Sequence, residues 1–246
     1  MKVTVLGSAG TFPSAESACS AYLVEHDGFQ LLLDMGNGSL GALQRYAGLL
    51  APDAVFLSHL HADHCVDLLN YSYARRWHPE APPPITVHGP LGTSERLQDI
   101  GGSSVGGFAG VYDFARTTEG SSAIGPFAIT LAKAAHPVET YSIRLDAGGA
   151  SLVYSGDSGP TEALVANARD ADLLLCEATW EHGADHPRDL HMTAREAGEH
   201  AHRANVGTLL LVHTTPFTDD DTLREQAAAE YDGELEIPAQ GATYTL

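Results

Sequence analysis

Residues 58–64 read Ser-His-Leu-His-Ala-Asp-His and follow directly on the apolar run Ala54-Val55-Phe56-Leu57. The run has the length and character of a buried strand, so the cluster falls where a strand ends and a loop begins. Open α/β sheets place their sites at such strand ends. His59, His61, Asp63 and His64 put four metal-competent side chains within six positions. A single zinc ion, usually tetrahedral, does not easily use four groups so closely spaced on a tightly turning chain. Two ions can share them. Asp63 and His64 are adjacent and point to different sides, so His59 and His61 can serve one ion while Asp63 and His64 serve a second. With 13 histidines in 246 residues, chance pairs are expected. A spaced set of four arises by chance in on the order of one in several hundred such chains. The stretch reads as a metal site.

Outward from this point, strands are expected at Val3–Gly7, Ala21–Glu25, Gln30–Asp34, Ala54–Leu57 and Ile85–His88. Further strands follow at Phe127–Ala132, Ser142–Leu145, Ser151–Tyr154, Leu173–Cys176, Thr208–Val212 and Ala242–Leu246. Helices are expected at Leu40–Ala47, His64–Trp77, Thr93–Ile100, Thr161–Ala168, Thr193–Ala204 and Asp220–Tyr231. Thr193 with Glu196 three residues on has the form of a capping box. The pattern fits two mixed sheets packed together with helices outside, a four-layer α/β arrangement. Glu80-Ala81-Pro82-Pro83-Pro84 is a stiff turn. Gly101 to Gly125, rich in Gly and Ser with isolated Phe108, Tyr112 and Phe114, reads as a loop, either a lid or ordinary surface. No repeat or linker interrupts the chain, and residues 1–246 are read as one domain.

Composition narrows the function. A hydrophobic content of 43% with 18% charged residues is that of a soluble globular protein. No apolar run is long enough for a membrane span. Met1-Lys2-Val3-Thr4-Val5-Leu6-Gly7 begins at once as a strand and leaves no room for a signal peptide, so a cytoplasmic location is expected. Cys19, Cys65 and Cys176 are few and odd in number, which suits reduced thiols. Cys65 follows a candidate ligand, but packing is its expected role. Lys and Arg total 13 against 32 Asp and Glu, a net charge of −19. Proteins that grip long nucleic acids carry a basic stripe to neutralise phosphates, and none is visible. A small anionic substrate remains compatible, because two divalent ions reverse the local field.

A two-metal site needs more ligands, including a bridging carboxylate, and these are expected at later strand ends. His136 follows a strand and precedes Pro137. Asp157 lies in Tyr154-Ser155-Gly156-Asp157-Ser158-Gly159 after the Ser151–Tyr154 strand. His213 follows the apolar Thr208-Leu209-Leu210-Leu211-Val212.

This set resembles the metallo-β-lactamase superfamily, across essentially the whole chain from Leu6-Gly7-Ser8-Ala9-Gly10-Thr11 to His213. The resemblance implies the αβ/βα sandwich. It implies that His59, His61 and His136 bind one zinc, that Asp63, His64 and His213 bind the other, and that Asp157 bridges them. Manganese is the alternative metal. Cys176-Glu177-Ala178-Thr179 is similar to the His-Glu-Ala-Thr motif of transfer-RNA 3′-processing nucleases, with Cys in place of His, and His191-Met192-Thr193 to their second catalytic motif. Carried over, Glu177 orients His191, which protonates the leaving oxygen. Those nucleases carry a long basic arm between the positions equivalent to His136 and Asp157. Here the intervening stretch suffices only for a hairpin. The wording Gly41-Ala42-Leu43-Gln44-Arg45 and Ala74-Arg75-Arg76-Trp77-His78-Pro79 resembles actinobacterial homologues described as atypical class II cyclic-nucleotide phosphodiesterases.

The resemblance therefore implies a two-metal phosphodiesterase acting on 3′,5′-cyclic nucleotides through a hydroxide shared by both ions. Asp63 takes the water's proton and His191 serves as general acid. Alternatives remain open: a transfer-RNA-type nuclease, a lactonase or β-lactamase of the same fold, or a non-catalytic or di-iron protein. Arg75, Arg76 and the Ser155–Gly159 turn are candidate phosphate contacts, with a solvated helix face the alternative for the arginines. Trp77, Trp180 and Phe12 are candidate base-stacking residues, with core packing the alternative. The expected partner is a small phosphodiester, without long nucleic acid or membrane; a homodimer is left open.

Overall fold

The computed structural model describes residues 1–102, 107–183 and 185–246. Leu31-Leu32-Leu33 shows how the chain builds its layers. Side chains alternate along a strand. Leu31 and Leu33 enter one apolar core while Leu32 enters another, and all three are fully buried. Leu209 and Leu211 part from Leu210 and Val212 in the same way. These continuous apolar runs thus belong to strands covered on both faces.

The first sheet contains β1 (Lys2–Ala9), β2 (Ala18–Cys19), β3 (Ala21–His26), β4 (Phe29–Leu33), β5 (Ala54–Phe56), β6 (Ile85–Gly89), β7 (Tyr112–Arg116) and the late strand β15 (Thr243–Thr245). The second contains β8 (Gly120–Ile124), β9 (Phe127–Lys133), β10 (Tyr141–Ala147), β11 (Ala150–Tyr154), β12 (Leu173–Glu177), β13 (Thr208–Val212) and β14 (Glu234–Glu236). Their orders are β15-β1-β3-β4-β5-β6-β7, with β2 on β1, and β14-β13-β12-β11-β10-β9-β8. Each sheet is antiparallel over one half and parallel over the other.

The inner core joins Val3, Tyr22, Leu33 and Phe56 of the first sheet to Ile143, Tyr154, Leu175 and Val212 of the second. Outside the first sheet, α1 (Ser39–Tyr46), α3 (Asp67–Arg76) and α4 (Thr93–Gly101) supply Leu43, Leu68, Tyr71 and Leu97. Outside the second, α5 (Glu162–Asn167), α6 (Ala194–Ala204) and α7 (Asp220–Ala228) supply Leu164, Ala197, Ala201 and Leu223. The result is the four-layer αβ/βα sandwich. The capping box at Thr193 and Glu196 is present. Among the described residues no helix is long and apolar enough to cross a membrane.

Two expectations are corrected. The helix expected over His64–Trp77 is two pieces, α2 (Ala62–Cys65) and α3, because the Asp67 N–H leaves the helical ladder to donate to the Met35 carbonyl at 3.1 Å. The segment 101–125 is neither lid nor plain loop where it is described. It closes α4, forms the edge strands β7 and β8, and buries Phe108 and Tyr112, whose rings stack at 5.6 Å. Residues 103–106 of that segment lie outside the described residues. The short strands β2 and β14 were not foreseen; two or three residues are too few to display a period.

The hairpin between His136 and Asp157 has the expected simplicity. Strands β10 and β11 pair from Ile143 opposite Tyr154 to Ala147 opposite Ala150, leaving a two-residue turn. Gly148 and Gly149 fill it at φ 61° and 84°, a conformation that suits two glycines and matches the twist of the strands.

Candidate active site

Strand ends from both sheets deliver the predicted side chains to one rim. After β5, the Ser58 N–H donates to Asp34 Oδ1 at 2.7 Å, which fixes the turn that carries His59. His61 is the extended residue before α2, and Asp63 and His64 lie within that short helix. From the second sheet come His136 beyond β9, Asp157 beyond β11, Glu177 at the end of β12 and His213 directly after β13.

All seven candidate ligands converge. His59 Nε2 lies 3.1 Å from His61 Nδ1, which lies 3.2 Å from His136 Nε2. His213 Nε2 lies 3.2 Å from Asp63 Oδ2, and His64 Nε2 lies 3.6 Å from the same oxygen. Asp157 faces both groups: Oδ2 is 3.6 Å from His59 Nε2, while Oδ1 is 3.1 Å from His64 Nε2 and 3.5 Å from His213 Nε2. In each set, His59, His61, His136 and Asp157 or Asp63, His64, Asp157 and His213, the donor atoms lie within 4.8 Å of one another.

The outward nitrogens have partners of their own. Ser58 Oγ donates to Asp34 Oδ2 at 2.7 Å and so accepts from His59 Nδ1 at 3.0 Å. His64 Nδ1 donates to Asp34 Oδ2 at 2.8 Å, and His136 Nδ1 to the Leu190 carbonyl at 2.8 Å. Thr179 Oγ1 donates to Glu177 Oε2 and accepts from His213 Nδ1, both at 2.8 Å. In each of these four rings the outward nitrogen is engaged and the inward nitrogen faces the cluster. Fixing the tautomer from behind is the usual way an imidazole is prepared for a metal.

Two buried atoms test the fit. His64 Nε2 and Asp157 Oδ1 approach each other but lack a hydrogen-bond partner. Leaving such atoms unsatisfied is costly. A cation between them satisfies both. The nitrogen and carboxylate set suits zinc or a similar divalent ion. His59, His61 and Asp157 with His136, and Asp63, His64 and Asp157 with His213, therefore fit two ions.

The electrostatics of three rings agree. Burial holds His59 well below the ordinary imidazole range, with nearby His64 adding to it; burial also lowers His61 and His136. Neutral rings are the form that ligates. His64 goes the other way, since Asp157 and Asp34 outweigh the effect of burial. Burial pushes Asp157 up, but His213, His64 and His59 hold it well below the usual carboxylate range. Asp63 is likewise held low, against burial, by the His213 hydrogen bond and His64.

Beside this cluster stands the Glu177–His191 pair. Glu177 is fully buried, and its Oε1 accepts from His191 Nδ1 at 3.0 Å and from the Ser158 N–H at 2.5 Å. Its Oε2 accepts from Thr179 Oγ1 and, at 3.2 Å, from the Met192 N–H. Although burial lowers the His191 pKa, the hydrogen bond and charge of Glu177 raise it overall. His191 borders a cavity of about 540 Å³ that Phe12, Trp180 and Phe217 also line.

Several lesser expectations fail. Arg75 is buried and donates to Tyr71 Oη and the Pro83 carbonyl, and Arg76 bonds the Gly107 carbonyl. Both arginines are thus engaged with their own helix surroundings. The Ser155–Gly159 turn spends its groups internally: Ser155 Oγ on Gly156 and Glu177, Ser158 Oγ on Gly159 and Ala135. Trp77 is 77% exposed at the end of α3, so it neither packs in the core nor lines the cavity. Cys65 is buried in the outer core of the first sheet, as expected of a packing residue.

Sequence reasoning missed Asp34, Thr179 and Phe217. Asp34 is fully buried at φ 57° and accepts from Ser58, His64 and Tyr154, whose hydroxyl lies 2.7 Å away. Its signal was available: an aspartate ending the apolar run Leu31–Leu33 is unlike a solvated one.

A family model described as Beta-lactamase superfamily domain matches residues 30–214. Uncharacterized protein ML1173 of Mycobacterium leprae is 40% identical over 255 aligned residues, covering 100% of this chain and 89% of that protein. The crystal structure of the metallo-beta-lactamase fold protein YhfI from Bacillus subtilis superposes with a TM-score of 0.89 at 32% identity, covering 99% of this chain and 98% of that one. Ribonuclease Z of Halorubrum lacusprofundi is 29% identical, covering 98% of this chain and 96% of its own. That alignment runs over 298 positions against 246 residues here, so the relative carries segments that this chain lacks.

Proposed function

Since the chain belongs to the metallo-β-lactamase superfamily, we propose that it is a two-metal phosphodiesterase whose substrate is a 3′,5′-cyclic nucleotide. The observation that carries this reading is the Glu177–His191 pair, joined at 3.0 Å beside the Asp157 cluster. An oriented imidazolium protonates the alkoxide that a phosphodiester expels; a lactone expels an alkoxide too, and it is the ribonuclease Z relative that favours the phosphodiester.

Two divalent ions bound by the clustered residues supply an activated water and offset charge on the phosphate. Glu177 keeps the His191 Nδ1 proton in place and favours the protonated ring, so that His191 delivers a proton to the leaving 3′ oxygen. Asp63 receives the proton of the attacking water at Oδ2, an oxygen already held by the Thr11 N–H at 2.9 Å. Asp34 and Thr179 hold His64 and His213 in register.

The choice of a small diester rests on the surface. The net charge is −19 and the β10–β11 connection is a two-residue turn with no basic arm. Both disfavour a long polyanion. The ribonuclease Z relative supports nucleolytic processing as the second reading.

The test is a turnover screen of cyclic AMP, cyclic GMP, 2′,3′-cyclic nucleotides, a short precursor transfer RNA and a lactone panel, with metal content measured in parallel. Preferred hydrolysis of a 3′,5′-cyclic nucleotide with two bound zinc or manganese ions supports the proposal. RNA or lactone turnover without cyclic-nucleotide turnover replaces it.

A further inference from the structure

We infer that Phe12 and Phe217 form a stacking site for the base of the substrate, so that a planar heteroaromatic group, and not added charge, sets its specificity. This rests on the phosphodiesterase reading for its chemistry, though not for its geometry. Phe217 is 84% exposed and Phe12 37% exposed, and their rings meet at 5.5 Å with a 52° tilt. A large apolar side chain left this open has a face to offer. Both rings line the cavity that reaches His191.

The two loops that carry them are tied together, one from each sheet. The Gly10 N–H donates to the Thr214 carbonyl at 2.8 Å, beside a bridge between Ala9 and Thr214. The loop bearing Phe217 is held by its own bonds, Thr218 Oγ1 donating to the Thr215 carbonyl at 2.8 Å. Trp180 lies in the same cavity, but His186 stacks on it at 4.3 Å and 9°. The phenylalanine pair carries no such cover among the described residues.

The charge of the cavity points the same way. Its described lining contains Glu181 and no lysine or arginine. A ligand bearing an additional phosphomonoester meets no countercharge there. A nucleoside with a single diester charge meets aromatic faces, which bind any base and are worth a few kcal/mol per base in single-strand-binding proteins.

Two measurements test the inference. In a Trp77→Phe background, which leaves Trp180 as reporter, adenosine is titrated against metal-free protein with ribose as control. Saturable quenching by adenosine alone, with Kd raised about tenfold by Phe217→Ala, is expected. Absence of quenching, or an unchanged Kd in the variant, overturns the inference. In the metal-loaded enzyme, Phe217→Ala is compared on cyclic AMP and on methyl ribofuranoside 3′,5′-cyclic phosphate, which lacks a base. A roughly tenfold rise in KM for cyclic AMP, with kcat and the base-free substrate moved less than twofold, is expected. Equal effects on both substrates overturn the stacking site while leaving the hydrolase. Adenosine binding that depends on Phe217 without cyclic-nucleotide turnover leaves the stacking site and removes the phosphodiesterase.

Discussion

His191 owes its place to one buried carboxylate. Removing its ring while keeping that carboxylate should lower turnover on a phosphodiester by roughly 10²–10⁴-fold, the usual contribution of a general acid. His191→Ala should still bind two metal ions by elemental analysis; loss of an ion would show that the ring serves as a ligand. The pH profile carries the second prediction. Glu177 raises the His191 pKa, so the protonated ring persists to higher pH than an ordinary histidine would allow. Activity is lost as pH rises through that raised value. Glu177→Gln should move this alkaline limb of the kcat profile to lower pH, and an unmoved limb would separate Glu177 from the proton donor. At this scale the sequence was most legible where residue type and strand end coincide, as at His59, His136, Asp157 and His213. Asp34 could have been suspected from its place at the end of an apolar run, but not the ring it holds; Thr179 escaped because no local spacing announces a partner from a neighbouring strand.

The elements explain why small residues surround the cluster. A Cβ on Gly36 would stand 1.9 Å from the Asp63 carbonyl oxygen and 2.7 Å from Cys19 Cβ. The chain after β4 must therefore pass bare beneath α2, where the Met35 N–H also donates to the His64 carbonyl at 2.8 Å. Gly36→Ala should destabilise the fold by about 1–3 kcal/mol, as overpacking does, and weaken metal binding by displacing Asp63. Gly41, within α1, has nothing within 4 Å of its Cβ position. Gly41→Ala should be neutral or stabilising by up to about 1 kcal/mol. Denaturant unfolding of the two variants, with metal titration, checks the contrast; equal effects would show that the clash is relieved by relaxation. Strands β4, β5 and β13 were readable because their apolar runs are unbroken. The break at Asp67 was not, because a bond to Met35 from outside the helix competes with the ladder. Nor were β7 and β8, since Gly and Ser disguise edge strands as loop.

Across the whole molecule the layers were legible and their meeting point was not. Apolar alternation predicts two sheets with helices outside, but nothing local says which strand ends come to one rim. The four inner cluster residues His59, His61, Asp63 and His64 come from the first sheet, and His136, Asp157 and His213 from the second. Metal should consequently stabilise the fold as any native-state ligand does. Saturating zinc at about 100 times its Kd adds about 2.7 kcal/mol, which for a chain of this size raises Tm by on the order of 5–10 °C. Calorimetry with and without a chelator measures the difference, and an unchanged Tm would argue against ions at this rim. The split origin of the ligands carries a further consequence. Neither half of the sandwich can assemble the centre alone, so bound ions would act as a rivet through a seam. Withdrawing the rivet would loosen the seam at that one edge, while the oily middle keeps the two leaves shut elsewhere.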